Sequence, residues 1–253
     1  MLVRIGREVR AVWRLTQLAW LLAWGFAALH FVFPRWTEHR RRVVKQVWAG
    51  RLLDALGVQP GHAAGELPSG TLIVSNHISW LDVFVINAMT PSCFVCKDDV
   101  KKWPLIGRLV AYSGTLFIER GSRSAAARSA QAIATRLSAH ERVAIFPEGT
   151  TTRGTCILPF QAALFQAALD ARVPVQPVAL RYVDAYGSIS FAPAYSGDTG
   201  FGESLLAIAR ASGLRAELHW LEELPPQHER RELTRQAEAA ISNALGLACH
   251  RAD

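Results

Sequence analysis

Residues 76–82 read NHISWLD and follow the apolar run TLIVS. A histidine and an aspartate five positions apart make a general base and its orienting carboxylate, provided that the chain brings them together. On one continuous helix, five residues turn by about 500°, so the two side chains would diverge by about 140°. They meet only if His77 lies in the turn before a helix and Asp82 in its first turn. Ser79 reads as the N-cap, with Asp82 as the third helical residue, so Ser-x-x-Asp doubles as a capping box. An imidazole has an ordinary pKa of about 6.5, and one held by a carboxylate can take a proton from a hydroxyl at neutral pH. No G-x-S-x-G elbow occurs, so the hydroxyl belongs to a substrate rather than to a serine of the chain. Walker and GxGxxG loops are also absent from the sequence.

Two further polar stretches follow apolar runs. In FPEGTTTRG, residues 146–154, Gly149 permits close backbone approach and the Thr150 hydroxyl can donate. Such a loop binds an anion or a polyol, or is simply a turn. In GTLFIER, residues 114–120, Glu119 and Arg120 close a run in which the arginine can clamp a phosphate or carboxylate, or make a surface ion pair. Cys93 and Cys96 form a CxxC with no second pair to complete a zinc site. SCFVC reads as a strand carrying thiols, and the irregular spacing of the four cysteines gives no disulfide framework.

The elements that must position these groups alternate. Residues 71–75, 93–96, 115–118, 142–146 and 174–182 read as strands, with further strands at 188–192 and 215–220. Helical patterns fall at 81–89, 98–112, 122–140, 160–170 and 229–248. This alternation predicts an α/β domain with a mostly parallel central sheet covered by helices. Ligands then bind beyond the carboxyl ends of the strands, where the three polar stretches lie.

The chain carries 28 basic and 21 acidic residues, a net charge of +7. Residues 1–54 hold ten of the basic and three of the acidic residues, which leaves the remainder neutral with 18 of each. The basic residues are interleaved with Trp13, Trp20, Trp24, Trp36 and Trp48, so they suit anionic headgroups and not nucleic acid. Mean hydropathy is +0.13. Residues 15–33 carry no formal charge and lie between two basic clusters. An in-plane or re-entrant helix keeps both clusters on the cytoplasmic face of a membrane, whereas a single span sends one across. No small-residue cleavage site follows, so removal as a signal peptide is not expected. The expected organisation is a two-helix membrane-associating module at 1–58, a Gly/Pro-rich linker at 59–70, and a catalytic domain at 71–253. The expected location is the cytoplasmic face of the inner membrane, as a monotopic protein or on one N-terminal anchor.

Taken in order, SNHISWLD, GTLFIER, FPEGT and VPVQPVAL (173–180) resemble the four blocks of the glycerolipid acyltransferases, the family of bacterial 1-acylglycerol-3-phosphate acyltransferase. The resemblance implies His77 as the base and Asp82 as its orienting partner. It also implies an acceptor site shaped by Lys97, Gly114, Arg120, Glu148, Gly149 and Thr150. The implied reaction is direct acyl transfer from acyl-CoA or an acyl carrier protein to a lysolipid hydroxyl, with no acyl-enzyme, no metal and no redox cofactor. Two positions depart from the pattern. Glu119 stands where aspartate is common, and Thr151 stands where an arginine usually follows the third block, with Arg153 two positions on. The second departure leaves room for an acceptor other than lysophosphatidate, such as a lyso-ornithine lipid. A hydrolase using His77 to activate water is the alternative chemistry.

Overall fold

The computed structural model describes residues 2–32, 35–61, 67–97, 115–118, 122–226 and 229–247. Seven strands form one sheet: β1 (Val58–Pro60), β2 (Leu72–Ser75), β3 (Cys93–Lys97), β4 (Leu116–Ile118), β5 (Val143–Ile145), β6 (Val175–Val183) and β7 (Leu214–Trp220). Their order is β1-β7-β6-β2-β5-β3-β4. Every pairing is parallel except β6 with β7.

The central strands are apolar on both faces, as a sheet covered on both sides requires. Their side chains alternate between two cores. Ile73, Ala144, Val178, Leu180 and Tyr182 face one cluster. Helices α1 (Leu2–Phe31), α2 (Glu38–Leu56), α3 (Asp82–Met89) and α6 (Phe201–Arg210) supply its other side. Leu72, Val74, Val143, Ile145, Val175 and Ala179 face the opposite cluster. That side is covered by α4 (Arg123–Ser138), α5 (Gln166–Ala171) and α7 (Arg230–Leu245).

Most expected elements are present, including the mostly parallel covered sheet, and three corrections are needed. The first concerns the start of α3. The helix begins at Asp82 with Leu81 as its cap, so Ser79 is not the N-cap and Asp82 opens the helix. The second concerns residues 188–192, which form one bridge, Val183 to Ile189, instead of a strand. The chain reverses at Gly187 (φ +82°) and then turns away, leaving Ile189 and Phe191 exposed. The third concerns the linker at 59–70. Its first two residues belong to β1, which is hydrogen-bonded to β7 at the sheet edge. The helix expected at 98–112 lies outside the described residues.

The N-terminal helices pack directly on the body. Arg14 donates to the carbonyls of Ala209 (3.1 Å) and Ala211 (2.6 Å), and Arg10 to that of Arg210 (3.2 Å). A cation at the carboxyl end of a helix satisfies carbonyls that have no intrahelical partner and complements the helix dipole. Glu8 answers from the same face, accepting from Arg210 at 2.7 Å. The Arg14 guanidinium lies over Gly57 (φ +70°), which closes α2 in the left-handed conformation, and a β-carbon there would meet it at 1.8 Å. Arg14→Met therefore leaves the Ala209 and Ala211 carbonyls without this donor. It is expected to lower the unfolding free energy by about 1–3 kcal/mol, read as a reduced urea midpoint at unchanged m-value.

Candidate active site

Sheet register brings the site together. β2 and β5 are paired with Val74 opposite Ile145. Three residues beyond each, His77 and Glu148 stand side by side. The His77 backbone N–H donates to Glu148 Oε1 at 2.7 Å, and Leu158 N–H donates to Oε2 at 2.9 Å. The His77 carbonyl accepts from Thr152 N–H at 2.8 Å. One loop, 148–152, thus holds both backbone polar groups of the histidine. On the other flank, Asn76 fixes the turn to β6, accepting from Leu180 N–H (2.8 Å) and donating to the Leu180 carbonyl (2.9 Å).

The His77 ring stacks on Phe146, with centroids 3.9 Å apart and planes at 8°. Its Nδ1 lies 2.8 Å from Asp82 Oδ2. The Asp82 side chain has no solvent exposure and that of His77 has 20%. The same Oδ2 accepts from Ile78 N–H (2.7 Å) and Ser79 N–H (2.9 Å), and Oδ1 accepts from the Tyr182 hydroxyl (2.7 Å). Four donors converge on this carboxyl group, which fits an ionised acceptor. Nδ1 then carries the proton it shares with Asp82. Nε2 is left as the basic nitrogen, on a ring that is partly open to solvent. The turn-then-helix arrangement inferred from five-residue spacing is the one observed, although the carboxylate caps the turn backbone without any side-chain cap from Ser79.

Glu148 has a different place from the one expected. Both of its oxygens are taken by backbone N–H groups, so it positions the turn and does not reach outward to an acceptor. Burial pushes its carboxyl up to about 7, outweighing the hydrogen bonds from Leu158 and His77 that act in the opposite sense. Gly149 adopts φ +74°, which favours glycine, and Thr150 is exposed beside it. The Thr151 hydroxyl donates to the Tyr195 carbonyl, and Tyr195 N–H returns to the Ile78 carbonyl at 2.9 Å. Arg153 is exposed, its guanidinium 5.2 Å from the Phe191 ring centre. Lys97 ends β3, while Gly114 and Arg120 lie outside the described residues. Sequence reasoning assigned no role to Tyr182, Asn76, Phe146 or Thr152. Asn76, Phe146 and Thr152 carried a local signal, since they lie within the NHISWLD and FPEGTTTRG stretches, whereas Tyr182 carried none.

A carboxylate-oriented imidazole at the carboxyl edge of an α/β sheet, with no side-chain nucleophile bonded to it among the described residues, can deprotonate an incoming hydroxyl. Comparison with known proteins narrows the class. The family profile described as Acyltransferase matches residues 62–181. The 1-acyl-sn-glycerol-3-phosphate acyltransferase of Neisseria meningitidis serogroup B is 39% identical over 200 residues, which cover 77% of this chain and 78% of that one. The lyso-ornithine lipid O-acyltransferase of Pseudomonas aeruginosa is 35% identical over 234 residues, covering 87% and 90% respectively. In fold, the crystal structure of the 1-acyl-sn-glycerophosphate acyltransferase from Thermotoga maritima matches with a TM-score of 0.70 at 16% identity, covering 96% of both chains. The chain belongs to the acyltransferase family and is an acyltransferase enzyme.

The Glu148 environment sets a pH dependence. Its folded value of about 7 lies above the ordinary 4.5, so the native chain binds this proton more tightly than the unfolded chain does. Unfolding free energy should therefore fall as pH rises from about 4.5 to about 7 and should flatten above that window. Glu148→Gln should remove this slope. It should also cost about 1–3 kcal/mol, because the amide nitrogen faces one of two backbone donors. Urea titrations of both proteins across that window provide the check.

Proposed function

We propose that the chain transfers an acyl group from an acyl thioester, acyl-CoA or an acyl carrier protein conjugate, directly to the free hydroxyl of 1-acylglycerol-3-phosphate, giving phosphatidic acid. The observation that carries this reading is the His77 Nδ1–Asp82 Oδ2 contact of 2.8 Å, with Nε2 left as the base. Nε2 takes the hydroxyl proton as the acceptor oxygen attacks the thioester carbonyl. The tetrahedral oxyanion collapses, the carbon–sulfur bond breaks, and the departing thiolate takes the proton back from the imidazolium. No metal or redox cofactor enters this scheme. Glu148, Thr152 and Asn76 hold the base in register. The exposed Thr150 hydroxyl is the described group offered to the acceptor, and Lys97, Gly114, Gly149 and Arg120 complete the candidate acceptor set.

One observation favours a second acceptor. Thr151 stands where the resemblance expects arginine and is committed to the Tyr195 carbonyl, and Arg153 is exposed against Phe191. The 148–153 loop thus turns no guanidinium toward His77, which suits a lysolipid without a terminal phosphate, such as a lyso-ornithine lipid. Relatives of both names are similar to this chain. Purified protein offered a labelled acyl thioester with each lysolipid separately decides between them. His77→Ala should lower transfer by about 10²–10⁴-fold, and a mutant at the wild-type rate would remove the base assignment. Preference for the lyso-ornithine lipid selects the second acceptor. Fatty acid release without any acylated lipid product selects the hydrolase.

The same reading places the enzyme on a membrane surface through α1. Ile5, Val9, Val12, Trp13, Trp20 and Trp24 are exposed and fall within about 120° of arc, opposite the buried Ala11, Leu18 and Leu21. Among the described residues, no helix is long and apolar enough to cross a membrane. An exposed apolar stripe carrying three tryptophans fits a helix lying in the interface of a bilayer, on its cytoplasmic side. Trp20→Ala is expected to weaken co-sedimentation with vesicles of mixed anionic and zwitterionic phospholipid by about tenfold. Unchanged partitioning would place the membrane contact elsewhere.

A further inference from the structure

Tyr182 lies 100 positions from Asp82 in sequence, on β6, and donates its hydroxyl to Asp82 Oδ1 at 2.7 Å. Its side chain is 1% exposed and fixed in the core beside Leu180 and Val178. The other three donors to Asp82 are His77 itself and the turn N–H groups of Ile78 and Ser79, and all of them converge on Oδ2. Among the described residues, Tyr182 is the one donor to Oδ1 and the one donor to this carboxylate from outside the 77–82 segment.

We propose that Tyr182 is a positioning residue for the His77–Asp82 pair. Its hydroxyl locks the carboxylate so that Oδ2 faces the imidazole, and it draws off negative charge that would otherwise hold the proton on His77. Burial and the neighbouring carboxylate both push the phenol well above its ordinary range, so it remains a donor throughout the working pH range. Among the described residues, two other carboxyl groups lie near the pair. Glu148, on the loop after β5, bonds to the His77 backbone, and Glu238 on α7 lies beyond it, bonded to Phe160 N–H. Neither touches Asp82 Oδ1, so a change confined to the Tyr182 oxygen isolates its effect.

The kinetic consequence rests on the acyltransferase reading, whereas the effect on the imidazole does not. The experiment therefore has two arms. In the first, the ring of His77 is titrated by carbon-13 NMR in wild type and Tyr182→Phe, with the resonance assigned by its loss in His77→Ala. Removal of the hydroxyl leaves the carboxylate charge more concentrated, so the imidazolium is favoured and the His77 midpoint should move to higher pH by about one unit. In the second arm, the acid limb of the pH profile for acyl transfer should move in the same direction. kcat should fall roughly tenfold, with the acceptor KM little changed.

Site-specific 3-fluorotyrosine at position 182 keeps the packing and strengthens the donor, so both midpoints should move to lower pH. This second variant carries the test if Tyr182→Phe does not fold. A His77 midpoint that stays fixed in a folded variant overturns the proposal and leaves Tyr182 as a core filler. A shifted midpoint in a protein without transfer activity upholds the coupling and refutes the transferase reading alone.

Discussion

The Asp82 carboxylate has no solvent contact, and the site is arranged around satisfying it. Removing such a group from water costs several kcal/mol, and the cost is recovered only through well-placed partners. Hydrogen bonds to ionised groups contribute about 1.5–3 kcal/mol each, so the four donors here can offset the burial. Two of them are backbone groups of Ile78 and Ser79, which become donors to Asp82 only when the chain is turned tightly just before α3. The carboxylate therefore selects the conformation of the turn, and the turn fixes the direction of His77. The helix opens without a side-chain cap because the cap position holds Leu81, while Asp82, its first residue, turns Oδ2 back to the preceding segment and Oδ1 to Tyr182.

A second constraint makes this turn rigid. His77 lies two residues beyond the end of β2, and its own N–H and carbonyl would have no strand partner there. The loop 148–152 supplies both partners, through the Glu148 carboxylate and Thr152 N–H. Glu148 also holds Leu158, so a single buried carboxylate ties three segments of chain together. The positions in the third block that look like substrate ligands in a linear reading thus divide by role. Glu148 and Thr152 face inward and build the frame. Thr150 faces outward and remains available to a ligand.

How much of this could be read in advance follows from the range of each interaction. The His77–Asp82 pair was legible because both residues lie in one short segment whose geometry can be worked out from helical pitch. The covered parallel sheet was legible because β2, β5 and β6 are apolar on both faces and separated by helical patterns. Tyr182 was not legible. Its partner lies 100 residues away, and nothing in ALRYV distinguishes a tyrosine that bonds a carboxylate from one that fills a core. Glu148 was placed at the site but its backbone contacts were not legible, because only the register of β2 against β5 shows that its oxygens meet backbone donors. The edge strand Val58–Pro60 was hidden in a Gly/Pro-rich stretch, where three residues give no periodicity to read.

The remaining residue of the motif that reaches outside the turn, Trp80, connects the chemistry to the N-terminal helices. Its indole N–H donates to Ser204 Oγ on α6 at 3.2 Å, and its ring packs against Phe201 and Phe84. Phe84 in turn meets Trp48 on α2, whose indole lies against Gly25 of α1 and donates to the Leu21 carbonyl. On the far side, α6 ends at the carbonyls held by Arg10 and Arg14 of α1. Two packed routes therefore run from α1 to the segment between His77 and Asp82, one through α2 and α3 and one through α6. Close-packed contacts of this kind transmit position, because each side chain has little room to relax. The exposed apolar stripe of α1 consequently keeps a fixed orientation relative to the His77 ring. The buried face of residues 1–58 is thus part of the frame that orients the His77 ring.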